Sequence, residues 1–136
     1  MNKNEINVAL NFLKSEAERG NAIFQCSLGL FYLKGEGVRQ DYNEAFRWFK
    51  AAAEQGLPEA QNFLGLCYSH GLGVIQNYNE AYYWYLISYR NGYTDAEQYF
   101  KRIENKLTDQ QKQEVQDRVN EWFSTHPGKM HLTPHN

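Results

Sequence analysis

Several residues in this chain have types and spacings that could do chemistry. Cys67-x-x-His70 sets a thiol and an imidazole three residues apart, on one face if the segment is helical, which is the minimal pairing of a nucleophile with a base. The strings Lys34-Gly35-Glu36-Gly37-Val38 and His70-Gly71-Leu72-Gly73-Val74 are glycine loops that run into helix-forming sequence. Such a loop can cradle a phosphate on its backbone N–H groups. His126, His131 and His135 could supply imidazoles to a metal. Cys26 and Cys67 could pair in a disulfide if their Cα atoms came within about 7 Å.

The elements that would position these groups are set by a repeat. Laying residues 20–55 over 56–91 without a gap gives 15 identities in 36 positions. They include Leu28/Leu64, Gly29/Gly65, Tyr32/Tyr68, Gly35/Gly71, Gly37/Gly73, Val38/Val74, Glu44/Glu80, Ala45/Ala81 and Trp48/Trp84. Each unit reads as two helices. In the second, Ala45, Trp48, Phe49 and Ala52 fall at i, i+3, i+4 and i+7, and Ala81, Trp84, Tyr85 and Ser88 repeat the stripe. Asp41-x-x-Glu44 and Asn77-x-x-Glu80 read as capping boxes at their starts. In the first helix Leu28 and Tyr32, or Leu64 and Tyr68, share a face, and Gly29 and Gly65 admit a close neighbour.

The flanks continue the pattern. Ala9, Phe12 and Leu13 lie 36 residues before Ala45, Trp48 and Phe49, so residues 5–19 read as a lone second helix. Residues 92–107 start a third first helix, with Ala96, Phe100, Ile103 and Leu107 on one face. The glycine loop is then absent. Thr108-x-x-Gln111 opens a different helix over 108–124, whose stripe is Val115, Val119, Trp122 and Phe123 and whose other face is polar, as a terminal cap requires. The organisation expected is a helical unit over residues 1–125, with repeats at 20–55 and 56–91, and a tail over 126–136.

The repeat reinterprets the chemistry. A phosphate loop follows a strand and occurs once; these loops follow helices and occur twice, so Gly35, Gly37, Gly71 and Gly73 read as turn residues with positive φ, with Val38 and Val74 plugging between helices. Cys67 stands where repeat one has Phe31, and His70 where it has Lys34, with no acidic residue evident to orient the imidazole. Cys26 and Cys67 fall on neighbouring first helices five residues out of register, about 12 Å apart from helix rise and packing distance, and read as free thiols. The three histidines are interleaved with Pro127 and Pro134 and read as a solvated tail. No active site, metal or cofactor is expected.

The string L-G-x-x-Y-x-x-G-x-G-V, an acidic or amide cap, A-x-x-W and a further glycine about seven residues on resemble the Sel-one-like repeat (SLR), a branch of the tetratricopeptide superfamily with a longer inter-helix loop. Leu28–Trp48 and Leu64–Trp84 match it nearly position for position. The departures are Phe24, where Ala is usual, and Ser88 in place of a second-helix Ala. The resemblance implies an all-α, right-handed solenoid of antiparallel helix pairs whose first helices line a concave, partner-binding side. Ligand-facing positions carried over from the tetratricopeptide arrangement are Cys26, Ser27, Leu30, Leu33 and Lys34 in the first repeat. In the second they are Asn62, Phe63, Leu66, Ser69 and His70, and the third helix adds Gln98, Tyr99 and Arg102. Leu30 and Leu66, identical between repeats, serve equally well as packing residues.

Tyr82, Tyr83 and Leu86 lie off the second-helix stripe where repeat one has Phe46, Arg47 and Lys50. They read either as a convex patch or, the account favoured here, as residues covered by the terminal helix. Phe12 and Trp122 mark ends through which a short solenoid could pair.

The resemblance also implies a non-enzymatic interaction module with a protein or peptide partner. Members of the family serve as adaptors in signalling, quality control and host interaction, and some small bacterial members as immunity proteins against secreted toxins. Composition agrees in what it excludes. A net charge of −2 with no basic cluster argues against nucleic acid, whose phosphates need a cationic face. The absence of an apolar run near 18 residues argues against a membrane span, and the polar start Met1–Gly20 against a signal peptide. The localisation expected is cytoplasmic.

Overall fold

The computed structural model describes residues 1–127 and contains seven α-helices and no strand among them. They are α1 (Lys3–Glu18), α2 (Ala22–Lys34), α3 (Tyr42–Glu54), α4 (Pro58–His70), α5 (Tyr78–Arg90), α6 (Ala96–Ile103) and α7 (Asp109–Thr125), with a 3-10 turn at Glu104–Lys106. Each of α1 to α5 packs on its successor, and α7 folds back onto α5. This is the α-solenoid order that the 36-residue period implies.

Local chemistry starts and stops the helices. Asp41 and Asn77 accept the N–H of Glu44 and Glu80, each at 3.1 Å, and so cap α3 and α5. The reciprocal half of the expected boxes is absent, because Arg47 draws off the Glu44 carboxylate and Arg118 of α7 that of Glu80. Complete boxes form instead at Asn2/Glu5 and Thr108/Gln111. Pro58, whose missing N–H costs nothing in a first turn, opens α4. Gly35 and Gly71 end α2 and α4 at φ +74 and +69, the left-handed cap that needs no Cβ.

The second glycine of each loop has a different task. A Cβ on Gly73 would run into the backbone carbonyl of Tyr42, and one on Gly37 into the Ile6 side chain. Tyr42 and Ile6 are themselves 36 residues apart. Each loop therefore lies on the start of the preceding second helix. Its second glycine is packed against that helix, which is a structural use for the residue.

Contact between paired helices is made at glycine. The rings of Phe49 and Tyr85 lie so close over Gly29 and Gly65 that an added Cβ would sit 2.6 Å from each. Both rings are buried. On their far sides, Phe49 stacks on Phe63 (centroids 5.0 Å apart) and Tyr85 on Tyr99 (5.7 Å). Buried amides tie successive units in the same rhythm. Gln25 donates to the Ala17 carbonyl and accepts from Gln55, while Gln61 donates to the Ala53 carbonyl and accepts from Asn91.

Both departures from the repeat pattern have partners. Ser88 donates to the Pro58 carbonyl at 2.7 Å, and Phe24 meets Phe12 edge-on at 5.6 Å.

A candidate partner-binding face on the first helices

The thiol–imidazole pair does not assemble. Cys67 is fully buried in the main core, and burial pushes its thiol up to about 12. His70 is exposed at the end of α4, and its Nδ1 lies 2.8 Å from the Ser69 hydroxyl and 3.3 Å from the Leu66 carbonyl. Cys26 is likewise a buried free thiol, raised to about 12 by burial and secondarily by Glu59. A thiol held neutral in an apolar core is an inert packing group.

His126 departs from the solvated tail expected of it. Its ring stacks on Trp122 at 4.0 Å, and its Nδ1 lies 2.7 Å from the Trp122 carbonyl. His131 and His135 lie outside the described residues, among which no cluster of metal-binding side chains occurs. No helix among those residues is long and apolar enough to cross a membrane.

The carried-over positions divide by burial. Ser27, Leu30 and Lys34 line one open cleft with Phe31 and Glu36, a cavity of about 220 Å3. Leu33, Phe63, Leu66 and Tyr99 are half-buried, and Lys34, His70, Gln98 and Arg102 are exposed. Cys26, Asn62 and Ser69 are buried at 7%, 5% and 9% exposure and cannot present much surface. Asn62 nevertheless keeps a carbonyl oxygen without a hydrogen-bond partner. Phe63 and Tyr99 use one ring face against Phe49 and Tyr85, and Arg102 lies over Tyr99 at 5.4 Å. Successive helices thus present Ser27/Phe63/Tyr99, Leu30/Leu66/Arg102 and Lys34/His70/Lys106 at equivalent positions.

The second patch is largely covered. Tyr82 is 2% exposed, edge-on to Phe100, with its hydroxyl directed at Glu104, so it is a core residue. Tyr83 lies under the Arg118 guanidinium at 4.0 Å, and Leu86 shares a groove with Val119 and Asn120 of α7. Trp122 is buried.

At the opposite end, which the sequence marked only by Phe12, there is a cavity it did not foretell. Met1, Ile6, Ala9, Leu10, Leu13 and Phe31 line an apolar cavity of about 330 Å3. Phe12 is 59% exposed, whereas its repeat equivalents Trp48 and Trp84 are each 7%. The signal was available, since a lone second helix has no partner for its stripe.

A family model described as Sel1 repeat matches residues 22–57 and 58–93, units beginning two residues after those read from the glycines. Among solved structures, the chain is similar to a protective antigen of uropathogenic Escherichia coli strains displaying an SLR fold. The TM-score is 0.82 at 31% identity, over 90% of this chain and 26% of that one. It is also similar to a Sel1 repeat protein from Oxalobacter formigenes, with a TM-score of 0.66 at 36% identity, over 68% and 27% of the two chains. The chain therefore spans about a quarter of the length of either structure. No curated protein matches it.

Proposed function

The chain belongs to the Sel1 repeat family, whose repeats are generally protein-interaction modules, and on that premise we propose that it is a non-enzymatic binder of a protein or peptide partner. The contact surface is the concave face of α2, α4 and α6. The observation that carries this reading is the exposed set Lys34, His70, Gln98 and Arg102 around a half-buried floor of Leu30, Phe63, Leu66 and Tyr99. An apolar centre with a polar rim is the usual anatomy of an interface. Burial of the Cys67 thiol, with His70 exposed and its Nδ1 at Ser69 and Leu66, supports a role without catalysis.

In the form put forward here, the module occludes its partner in the bacterial cytoplasm, as an immunity protein does to a toxin. An adaptor role uses the same face without blocking activity. The test is affinity capture from cell lysate, followed by purification of the captured protein and measurement of its Kd. The baits are wild type and Ser27→Arg/Gln98→Arg, a variant that adds bulk to the face while leaving the Phe49–Phe63 and Tyr85–Tyr99 stacks in place. Loss of binding in the variant supports the site, and inhibition of the captured protein separates occlusion from scaffolding. Equal Kd values would remove the first-helix face from consideration.

A further inference from the structure

The two ends of the solenoid differ. Past Ile75 no large apolar residue is exposed among the described residues, and α6 leaves Glu97, Gln98, Lys101 and Arg102 in solvent. Trp122, which would mark this end for pairing, is buried. The other end is open. Among the described residues, four of the six exposed large apolar side chains, Met1, Val8, Phe12 and Ile23, fall in the first 23 positions. Ala9 is exposed beside them, whereas its repeat equivalents Ala45 and Ala81 are fully buried.

Glu5, Val8, Ala9 and Phe12 form one exposed stripe of α1, at i, i+3, i+4 and i+7. Spacing of this kind reads the same from either end. Turned about a point between residues 8 and 9, position 5 changes places with 12, and 8 with 9. An antiparallel pair of α1 helices therefore sets Phe12 of each copy level with Glu5 of the other, and Val8 level with Ala9, large against small. The carboxylates keep apart. At the helical rise the two Glu5 positions are about 10 Å apart along the axis, and each carboxylate accepts from its own Asn2 amide at 3.1 Å. A parallel pair would set Glu5 on Glu5, and a head-to-tail pair would lay the stripe against the charged side of α6.

We infer that the occupant of this face is a second copy of the chain, the two α1 helices packed antiparallel across a two-fold axis beside Val8 and Ala9. The contact is isologous, so each stripe is its own complement. Ala9 permits a close approach, as Gly29 and Gly65 do inside the solenoid. Met1, Val8, Phe12 and Ile23 are 83, 70, 59 and 65% exposed. With residue surfaces of roughly 150–200 Å2, they leave roughly 500 Å2 open on each copy. Two copies then hide on the order of 1,000 Å2, the least that a specific interface requires. A contact of that size, apolar at its centre, gives a dimer with a Kd of roughly 1–100 µM. None of its residues belongs to the concave face of α2, α4 and α6, so the dimer stands apart from the partner reading above.

The experiment is sedimentation velocity of the full chain over about 1–200 µM, with Val8→Glu and Phe12→Glu beside wild type. Val8 is 70% exposed, so its variant keeps the fold whatever Phe12→Glu costs at the Phe24 contact, and circular dichroism verifies both. The expected result is a mass that rises with concentration from 16.0 kDa towards twice that value. Val8→Glu should weaken the dimer about tenfold or more, because the two introduced carboxylates would meet beside the axis. A cross-link gives the second measurement. Ala9→Cys, next to the axis, should form an intermolecular disulfide under mild oxidation. Ser15→Cys, exposed on another side of α1, should stay reduced, and the native thiols are buried out of reach. A mass of 16.0 kDa at every concentration would overturn the proposal and leave the face to an unlike chain. A dimer that survives both glutamate variants and cross-links equally from either position would overturn the α1 contact. So would one lost only with Ser27→Arg/Gln98→Arg, which would move the pairing to the concave face.

Discussion

Replacing Gly65 by Ala tests the helix-pairing account most directly, because propensity and packing push in opposite directions. In an uncrowded helix interior the change gains about 1 kcal/mol. Here the new Cβ would lie 2.6 Å from Cδ1 and 2.7 Å from Cε1 of Tyr85, against an ordinary carbon–carbon contact of about 3.5–4.0 Å. The ring would have to withdraw by roughly 1 Å. Tyr99 is stacked on that ring at 5.7 Å, and the Tyr85 hydroxyl lies 3.3 Å from that of Ser69. Overpacking of this kind costs about 1–3 kcal/mol, so the net expectation is a loss of up to about 2 kcal/mol despite the better helix former. With a urea slope of about 2 kcal/mol/M for a chain this size, the midpoint should fall by up to about 1 M, followed by circular dichroism of the purified protein. Combining Gly65→Ala with Tyr85→Leu should recover at least about 0.5 kcal/mol relative to additivity, since the ring that meets the methyl is gone. A midpoint that rises on Gly65→Ala would refute the reasoning, for it would mean that the helices do not meet at that glycine.

Other outcomes follow from the same packing. Asn91→Ala takes away the donor to the buried Gln61 carbonyl (2.8 Å) and should cost about 1–3 kcal/mol by urea melt; Gln55→Ala, at the exposed equivalent position, should cost clearly less. Stability should fall with alkali. Burial pushes the Cys26 and Cys67 thiols from 9.0, and the Tyr85 phenol from 10.0, up to about 12. The folded chain then holds protons that the unfolded chain releases, so this stabilising contribution is full below about pH 9 and is lost as pH rises towards 12. Tm measured across that range should drop, with a shallower slope for Cys67→Ala. At pH 8 both thiols should resist a thiol reagent in buffer and react promptly in denaturant, and fast labelling of the native chain would contradict their burial.

The sequence by itself determined the features that depend on neighbours a few residues away. The 36-residue period placed the helices, because caps such as Asp41 and Thr108, the left-handed glycines at 35 and 71, and the apolar stripes are all local. Gly29 and Gly65 marked the close approaches for the same reason: an amino acid without a side chain, repeated in register, points to contact. The free state of both cysteines was legible too, as a difference in register along parallel helices. Only the tertiary structure decided what each repeated position meets. Ala9 and Ala45 are equivalent in sequence, yet Ala45 is buried beneath α2 and Ala9 is left open, because no helix precedes α1 among the described residues. Tyr82 could be read from the sequence as a patch residue or as one under the terminal helix, and the fold buries it against Phe100 of α6; the Glu44 and Glu80 carboxylates left their caps for arginines, one of them 38 residues away. Burial and charge pairing belong to the neighbours a fold supplies, so a repeat fixes the shape of each unit and leaves the chemistry of its surfaces to the stacking.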